Sequence, residues 1–362
     1  MPTAVTIKQE PGPPGKVYHS LRLKEIPKPN PSESQVLIRL EAAALNHRDL
    51  FIRRSLYPGV AFDVPLFADG CGTVEDAGTG ELVRRWSGKR VLLTPGQGWE
   101  ESPLGPEKSY TVRGGTSNAP EGALQEWIVV DAKDIEEAPD HLTAVEAASL
   151  PLTGLTAWRA LVTKSGNAVS GSNILITGAG GGVALMALLY SVHMGINVYV
   201  NAASPERIAQ AVKMGAKGGV LFQDPEWPAK LKAMLPEERK YLDSVIDGAG
   251  ADIVAKTMKM IKHGGTIVSY GMTTGPSVAM PMGAVMRNLQ FHGTTTGSRR
   301  EYAEMLHYVS EHKILPIVSK VVRGIKDLSA LDELFAVMQK GEQFGKLVVR
   351  IDESGDLKHS KL

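Results

Sequence analysis

The stretch Asn173-Ile174-Leu175-Ile176-Thr177, followed by Gly178-Ala179-Gly180-Gly181-Gly182-Val183-Ala184, decides how the chain folds. An apolar run of β-forming residues stops at a glycine cluster, and Val183 to Tyr190 then reads as a buried helix. Strand, glycine turn and helix in that order hold a nucleotide pyrophosphate. The glycines let backbone approach phosphate oxygens, while the helix N-terminus offers unpaired N–H groups and the positive end of its dipole. Glycines also serve ordinary strand-to-helix turns; here the flanks match on both sides, which favours a dinucleotide.

The next strand, Asn197-Val198-Tyr199-Val200, should end where an NAD enzyme places an acid on the ribose 2′-hydroxyl. That place reads Asn201-Ala202-Ala203-Ser204-Pro205-Glu206-Arg207, with no acid at the strand end. A carboxylate there would repel a 2′-phosphate, whereas Ser204 and the Arg207 guanidinium would bind one. Ser204 also reads as the N-cap of the following helix, with Pro205 in its first turn, and both roles are compatible. The expected cofactor is therefore NADPH. Ser244 to Gly250 reads as a strand ending in a small-residue turn, with Asp247 and Gly248 at its end. A helix from about Ala251 to Ile261 leads through His263-Gly264-Gly265 to the strand Thr266–Tyr270 and Gly271. Leu289 to Gly297, including Thr296, reads as the last strand of this domain.

Before this region the pattern is β-rich. Gln35–Ala42, Cys71–Glu75 and Arg90–Thr94 read as short strands among Pro- and Gly-rich turns. After Gly297 come a helix (about Arg300 to His312), a strand (Ile317–Val322), a helix (about Leu328 to Gln339) and a final strand, Gly345–Ile351. The expected fold is α/β, a Rossmann domain inserted in a β-rich catalytic domain. The expected boundaries are 1–151, 152–298 and 299–362, with the active site in a cleft between domains. At 362 residues and 43% hydrophobic content the chain suffices for two cores. A net charge of +1 without a basic run argues against nucleic acid or a membrane surface, and no apolar stretch nears membrane-span length. A single cysteine, Cys71, excludes an internal disulfide and suits a reducing compartment.

Several motifs together resemble the medium-chain dehydrogenase/reductase superfamily, in its zinc-free quinone oxidoreductase (zeta-crystallin-like) branch. They are Ala43-Ala44-Leu45-Asn46-His47-Arg48-Asp49 running to Leu56-Tyr57-Pro58-Gly59, Asp69-Gly70-Cys71-Gly72-Thr73-Val74, Gly122–Trp127, Ala147–Ala157, the glycine turn, and Phe344–Val349. The resemblance covers nearly the whole chain and implies a GroES-like catalytic domain and a homodimer. The family's fingerprint falls on Ala179, Gly181 and Ala184, and its frequent Tyr near the adenosine phosphate is Phe222 here. The cofactor-binding set so implied is Thr153, Thr156, Ala179, Gly181, Gly182, Val183, Ser204, Arg207, Phe222, Asp247, Gly248, Gly271, Thr296 and Lys346. A helix N-cap accounts for Thr153 equally well, and Lys346 also reads as one more surface lysine.

Zinc relatives polarise a carbonyl or alcohol oxygen with a Cys/His/Cys site. Their ligand Cys corresponds to Asn46 and their His to Ala68, while the region of their structural zinc, Gly96 to Pro120, lacks cysteine. A site built from His47, Asp49 and Asp69 would be a chance grouping, so no metal is expected. Without a Lewis acid, hydride delivery suits a quinone or the β-carbon of an α,β-unsaturated carbonyl. Asn46 is the candidate to orient substrate or ribose, with a loop-stabilising role as the alternative. His47 and Tyr57 are the candidate proton donors, although His47 also reads as a helix cap and Tyr57 as packing on the Pro58-Gly59 turn.

Three function classes fit: an NADPH-dependent enone or quinone reductase acting on a small carbonyl compound, an enoyl-thioester reductase, and a non-catalytic NADPH-binding protein. The last residues, Ser360-Lys361-Leu362, spell the address read by the peroxisomal import receptor, and the charged stretch before them should leave it accessible. The peroxisome is thus the expected location, with the cytoplasm as alternative.

Overall fold

The computed structural model describes residues 1–275 and 277–352, in two compact units. One comprises Met1–Leu152 and the return segment from Leu315; the other is Thr153–Ile314.

In the first unit β1 (Thr3–Ile7) pairs antiparallel with β2 (Leu21–Glu25). The long strand β3 (Gln35–Leu45) is the spine of a seven-stranded sheet. One edge of β3 is shared: its first part pairs with β6 (Trp127–Asp131) and its last four residues pair with the final strand, β15 (Lys346–Arg350). Its other edge carries β4 (Asp69–Ala77), then β5 (Arg90–Leu93) and β7 (Ile135–Glu137). Beyond β15 lies β14 (Val318–Arg323). Apolar side chains from β3, β5 and β15 and from helix α6 (Leu328–Lys340) form one core that includes Ile38, Leu93, Phe335 and Val349. Helix α1 (His47–Arg53) starts directly where β3 stops.

The second unit is a parallel six-stranded sheet: β8 (Asn173–Ile176), β9 (Asn197–Ala202), β10 (Gly218–Leu221), β11 (Leu242–Asp247), β12 (Ile261–Ser269) and β13 (Gln290–Gly293), in the order β10-β9-β8-β11-β12-β13. The order reverses beside β8, the switch point at which open α/β sheets bind ligands.

The structure corrects three expectations. The helix expected to reach Ile261 covers only Ile253–Thr257, because Ile261 already pairs with Leu242 before a register shift to Ser244–Thr266. Gly264 (φ +70°) lies within that irregular stretch. The last strand stops at Gly293, well short of Thr296, which bends at φ +32°. Finally, the second unit ends at Ile314 rather than 298, because helix α5 (Arg299–Glu311) packs into it. Tyr302, Met305 and Val309 are buried, and the Tyr308 ring lies 5.2 Å from that of Trp158.

Candidate active site

The glycine turn is built by its neighbours. The Thr177 hydroxyl donates to Asp247 Oδ1 (2.7 Å) and accepts from the Gly248 N–H (3.0 Å), which ties the ends of β8 and β11 together. Gly178 (φ +69°) and Gly180 (φ +131°) then take backbone conformations that side chains resist. Asn201 folds the turn back: its side-chain oxygen accepts from Gly178 N–H (2.8 Å) and its carbonyl from Ala179 N–H (2.9 Å). Gly181 stands at the N-cap of α3 (Gly182–His193) with no capping side chain, and Gly182 and Val183 form its first turn. The first N–H groups of α3 are therefore left for an anion. These residues fit a nucleotide pyrophosphate.

At the ribose end, β9 finishes on Ala202, without an acid. Ser204 is the N-cap of α4 (Pro205–Lys213), accepting from the Arg207 N–H at 3.5 Å, with Pro205 in the first turn. The half-buried Arg207 side chain reaches back to the glycine turn, and a Cβ on Gly180 would sit 3.1 Å from its Nη1. The Phe222 N–H donates to the Ala202 carbonyl (3.1 Å), bringing an exposed ring beside the same strand end. Ser204 and the Phe222 backbone thus flank the Ala202 strand end, and Arg207 lies against the glycine turn.

The other proposed cofactor contacts are less uniform. Asp247 is fully buried, and its oxygens accept from Thr177, Ala249 and Gly250, so its carboxylate holds the turn rather than facing a ligand. Burial raises its pKa. Gly248 is closely packed, because a Cβ would lie 2.5 Å from the Tyr270 hydroxyl oxygen and that ring would have to shift, whereas Gly271 beside it is only loosely enclosed. Thr153 and Thr156 are buried inside helix α2 (Pro151–Trp158); Thr153 is its third residue and not its cap. Thr296 is buried as well.

The second cluster lies in the first unit, where β3, β4 and β15 converge. Leu347 pairs with Leu45, so Lys346 comes opposite Asn46, while Asp69 pairs with Ala44. Lys346 is 4% exposed, which excludes the surface reading. Its ammonium donates to the Leu45 carbonyl (2.9 Å), Asn46 Oδ1 (2.7 Å) and Asp69 Oδ2 (3.0 Å). Asn46 Nδ2 donates to the same Asp69 oxygen (2.9 Å), and the Leu152 N–H donates to the other (2.8 Å). Asn46, 4% exposed, is the N-cap of α1, and its N–H donates to the carboxylate of Asp49 (2.9 Å). The amide is thus engaged at both ends, in keeping with the loop-stabilising alternative. Burial pushes the Asp49 carboxyl up to about 6, against the opposing pull of Arg48.

His47 is the first residue of α1 rather than its cap; it reaches solvent, while protein surrounds its ring on the other sides. Desolvation by surrounding protein, then the Lys346 charge, lower its pKa from the ordinary 6.5. Tyr57 is half-buried, with the Arg48 guanidinium stacked 4.7 Å from its ring centre. Arg48 itself was no sequence candidate. It donates to the carbonyls of Val112, Arg113 and Gly114 and so fastens that loop to α1. No group of three His, Cys, Asp or Glu side chains among the described residues is arranged to hold a metal.

The cysteine-free loop is closed by a carboxylate. Glu107 accepts from the N–H groups of Glu100 (2.8 Å), Glu101 (2.9 Å) and Ser102 (2.6 Å), which lowers its pKa to about 2. Trp99 adds a bond to the Ser102 carbonyl (2.8 Å). Sequence spacing gave no hint of this nest.

Residues 182–311 match the family model described as zinc-binding dehydrogenase, and 32–140 match the alcohol dehydrogenase GroES-like domain. The chain is 48% identical to the zinc-type alcohol dehydrogenase-like protein YogA of Leptosphaeria maculans, over 97% of this chain and all of that one. It is 25% identical to an acryloyl-coenzyme A reductase of Sulfurisphaera tokodaii, over 91% of this chain and 96% of the relative. A crystal structure of an NAD-dependent alcohol dehydrogenase superimposes with a TM-score of 0.82 at 28% identity, covering 97% of this chain and 100% of that one. With its GroES-like and Rossmann units, the chain belongs to the medium-chain dehydrogenase/reductase superfamily and is a zinc-type alcohol dehydrogenase-like oxidoreductase.

Proposed function

We propose that the protein is an NADPH-dependent, zinc-independent reductase that transfers hydride to a quinone or an α,β-unsaturated carbonyl. The observation that carries this reading is the donor set at the end of β3. The residues corresponding to zinc ligands are an amide and a methyl group, Asn46 and Ala68, and a buried ammonium is hydrogen-bonded to the amide. An ammonium repels a metal cation, and neither Ala nor a Lys-bound amide offers a zinc bond. The family's zinc does not fit this set.

A bound dihydronicotinamide supplies the hydride. The turn from Gly178 to Gly182 and the first N–H groups of α3 would hold its pyrophosphate, and Ser204 and Arg207 the 2′-phosphate. With its lowered pKa, His47 is neutral at pH 7 and can donate one ring N–H to an oxygen on which charge develops. Tyr57, half-buried beneath Arg48, is the weaker donor. NADH is the alternative cofactor, as in the related structure named for it.

The acryloyl-coenzyme A reductase relative favours a second reading, an enoyl-thioester reductase. NADPH oxidation against 9,10-phenanthrenequinone, an alkenal and crotonyl-CoA separates the readings. Turnover only with crotonyl-CoA selects the thioester; NADPH binding without any turnover leaves a non-catalytic binding protein.

Ser360-Lys361-Leu362 lies outside the described residues, and import into peroxisomes stands as part of this proposal. A fluorescent protein fused ahead of the intact chain should become punctate and turn diffuse on deletion of Leu362; a diffuse signal in both removes the address. We also propose a homodimer. Among the described residues the β13 edge of the parallel sheet has one strand partner, and Met280, Met282, Val285 and Met286 close by in sequence are exposed. A monomeric mass by light scattering would exclude it.

A further inference from the structure

We propose that the Lys346 ammonium takes the place of the metal as a positioning residue: a fixed, buried cation that balances Asp69 and sets the orientation of the Asn46 amide, and with it the loop that leads into His47. For its functional consequence this inference rests on the reductase reading above.

The register brings the group there. Leu347 faces Leu45 across the β15–β3 ladder, so the next pair along is Lys346 and Asn46. An ammonium has three N–H donors. Three acceptors surround it, at 2.9 Å (Leu45 carbonyl), 2.7 Å (Asn46 Oδ1) and 3.0 Å (Asp69 Oδ2). No donor remains for a ligand, so Lys346 acts through its neighbours. The strongest constraint falls on Asn46. Its oxygen must face the ammonium, which places its NH2 toward Asp69 at 2.9 Å. The flipped amide would point N–H groups at a cation. Through its backbone N–H, bonded to Asp49 at 2.9 Å, Asn46 also fixes the first turn of α1. His47 is the next residue, and its ring depends on that turn for its direction. Where zinc relatives hold a cation with side-chain ligands, this chain carries the cation on a side chain.

Two variants separate positioning from mere stability. Lys346→Met keeps the stem and removes the charge, leaving Asp69 buried without its cation. Its melting temperature should fall, and kcat with the acceptor that the panel identifies should drop tenfold or more, with the NADPH Kd unchanged. Lys346→Met/Asp69→Asn removes both charges, so the melting temperature should recover. The amide then lacks the cation that orients it, and kcat should stay at least tenfold below wild type. The Asn46 side-chain amide NMR signals should shift or double in both variants. A kcat that recovers together with the melting temperature makes Lys346 a structural residue and overturns the inference. So do unchanged Asn46 amide signals. Those signals need no substrate, so a wild type inactive on every acceptor would defeat the reductase reading and leave this inference to stand or fall by the spectra.

Discussion

Arg207→Ala is the perturbation that asks most of the cofactor site. The Arg207 side chain lies against the glycine turn, within 3.1 Å of where a Gly180 Cβ would be, and it starts from the first turn of α4. No acid stands at Ala202 to recognise an unmodified ribose, and under the NADPH proposal Ser204 and this guanidinium would bind the 2′-phosphate. Hydrogen bonds to a charged group contribute about 1.5–3 kcal/mol. Arg207 is only half-buried, and solvent screening puts the expectation toward the lower part of that range. The NADPH Kd should then rise roughly tenfold, with about a hundredfold as the upper bound. NADH has no phosphate there and should bind almost as before. Ser204→Ala serves as control: loss of a cap costs about 1 kcal/mol of stability, with a smaller effect on NADPH. Titration of cofactor fluorescence with both nucleotides, on wild type and variants, reads these effects. Equal losses for NADPH and NADH would mean that Arg207 shapes the turn rather than binding phosphate. A wild type that binds NADH as tightly as NADPH would refute the reasoning altogether.

Three other outcomes follow from the sites. Burial raises the Asp49 carboxyl from 3.8 to about 6, so its contribution to stability is full below pH 3.8 and is lost as pH rises through 6. The lost part is about 3 kcal/mol, and the stability of wild type relative to Asp49→Asn should fall by up to that amount between pH 4 and 7; urea unfolding at both pH values that shows a constant gap contradicts the assignment. Glu107→Gln should abolish hydrogen-exchange protection at the N–H groups of residues 100–102 while leaving β3 protected; retained protection would mean that the carboxylate does not hold the loop. Dialysis against a strong chelator should change neither activity nor melting temperature, and stoichiometric zinc with activity lost on its removal would overturn the metal-free reading.

What could be read from the sequence was local. The β8–turn–α3 unit is contiguous, and glycines at positions of positive φ mark it without reference to the rest of the chain. The missing acid at Ala202 and the Ser204 cap are likewise local features. The role of Lys346 was hidden because its partner Asn46 lies 300 residues away and only the β15–β3 register brings them together. The Glu107 nest is not legible in the sequence, because backbone N–H groups carry no sequence signature. Thr153 reads as a cap in the sequence although Pro151 precedes it; a proline suits the first turn of a helix, and the helix starts at Pro151, three residues before a start capped by Thr153. The end of the second unit is not legible either, because α5 is amphipathic and the pattern alone does not say which core its Tyr302–Met305–Val309 face joins.

The proposed reaction is hydride transfer from NADPH to a quinone or an α,β-unsaturated carbonyl without metal assistance. Its most direct measurement uses chelator-treated enzyme, NADPH deuterated at C4 of the nicotinamide and each of the three acceptors, with the product analysed by mass spectrometry and NMR. One deuterium per reduced product is expected, at the β-carbon where an enone or enoyl thioester is reduced. For the quinone, whose transferred label exchanges from oxygen, stoichiometric loss of NADPH is expected. Turnover that appears only after zinc is restored, or only with NADH, would contradict it.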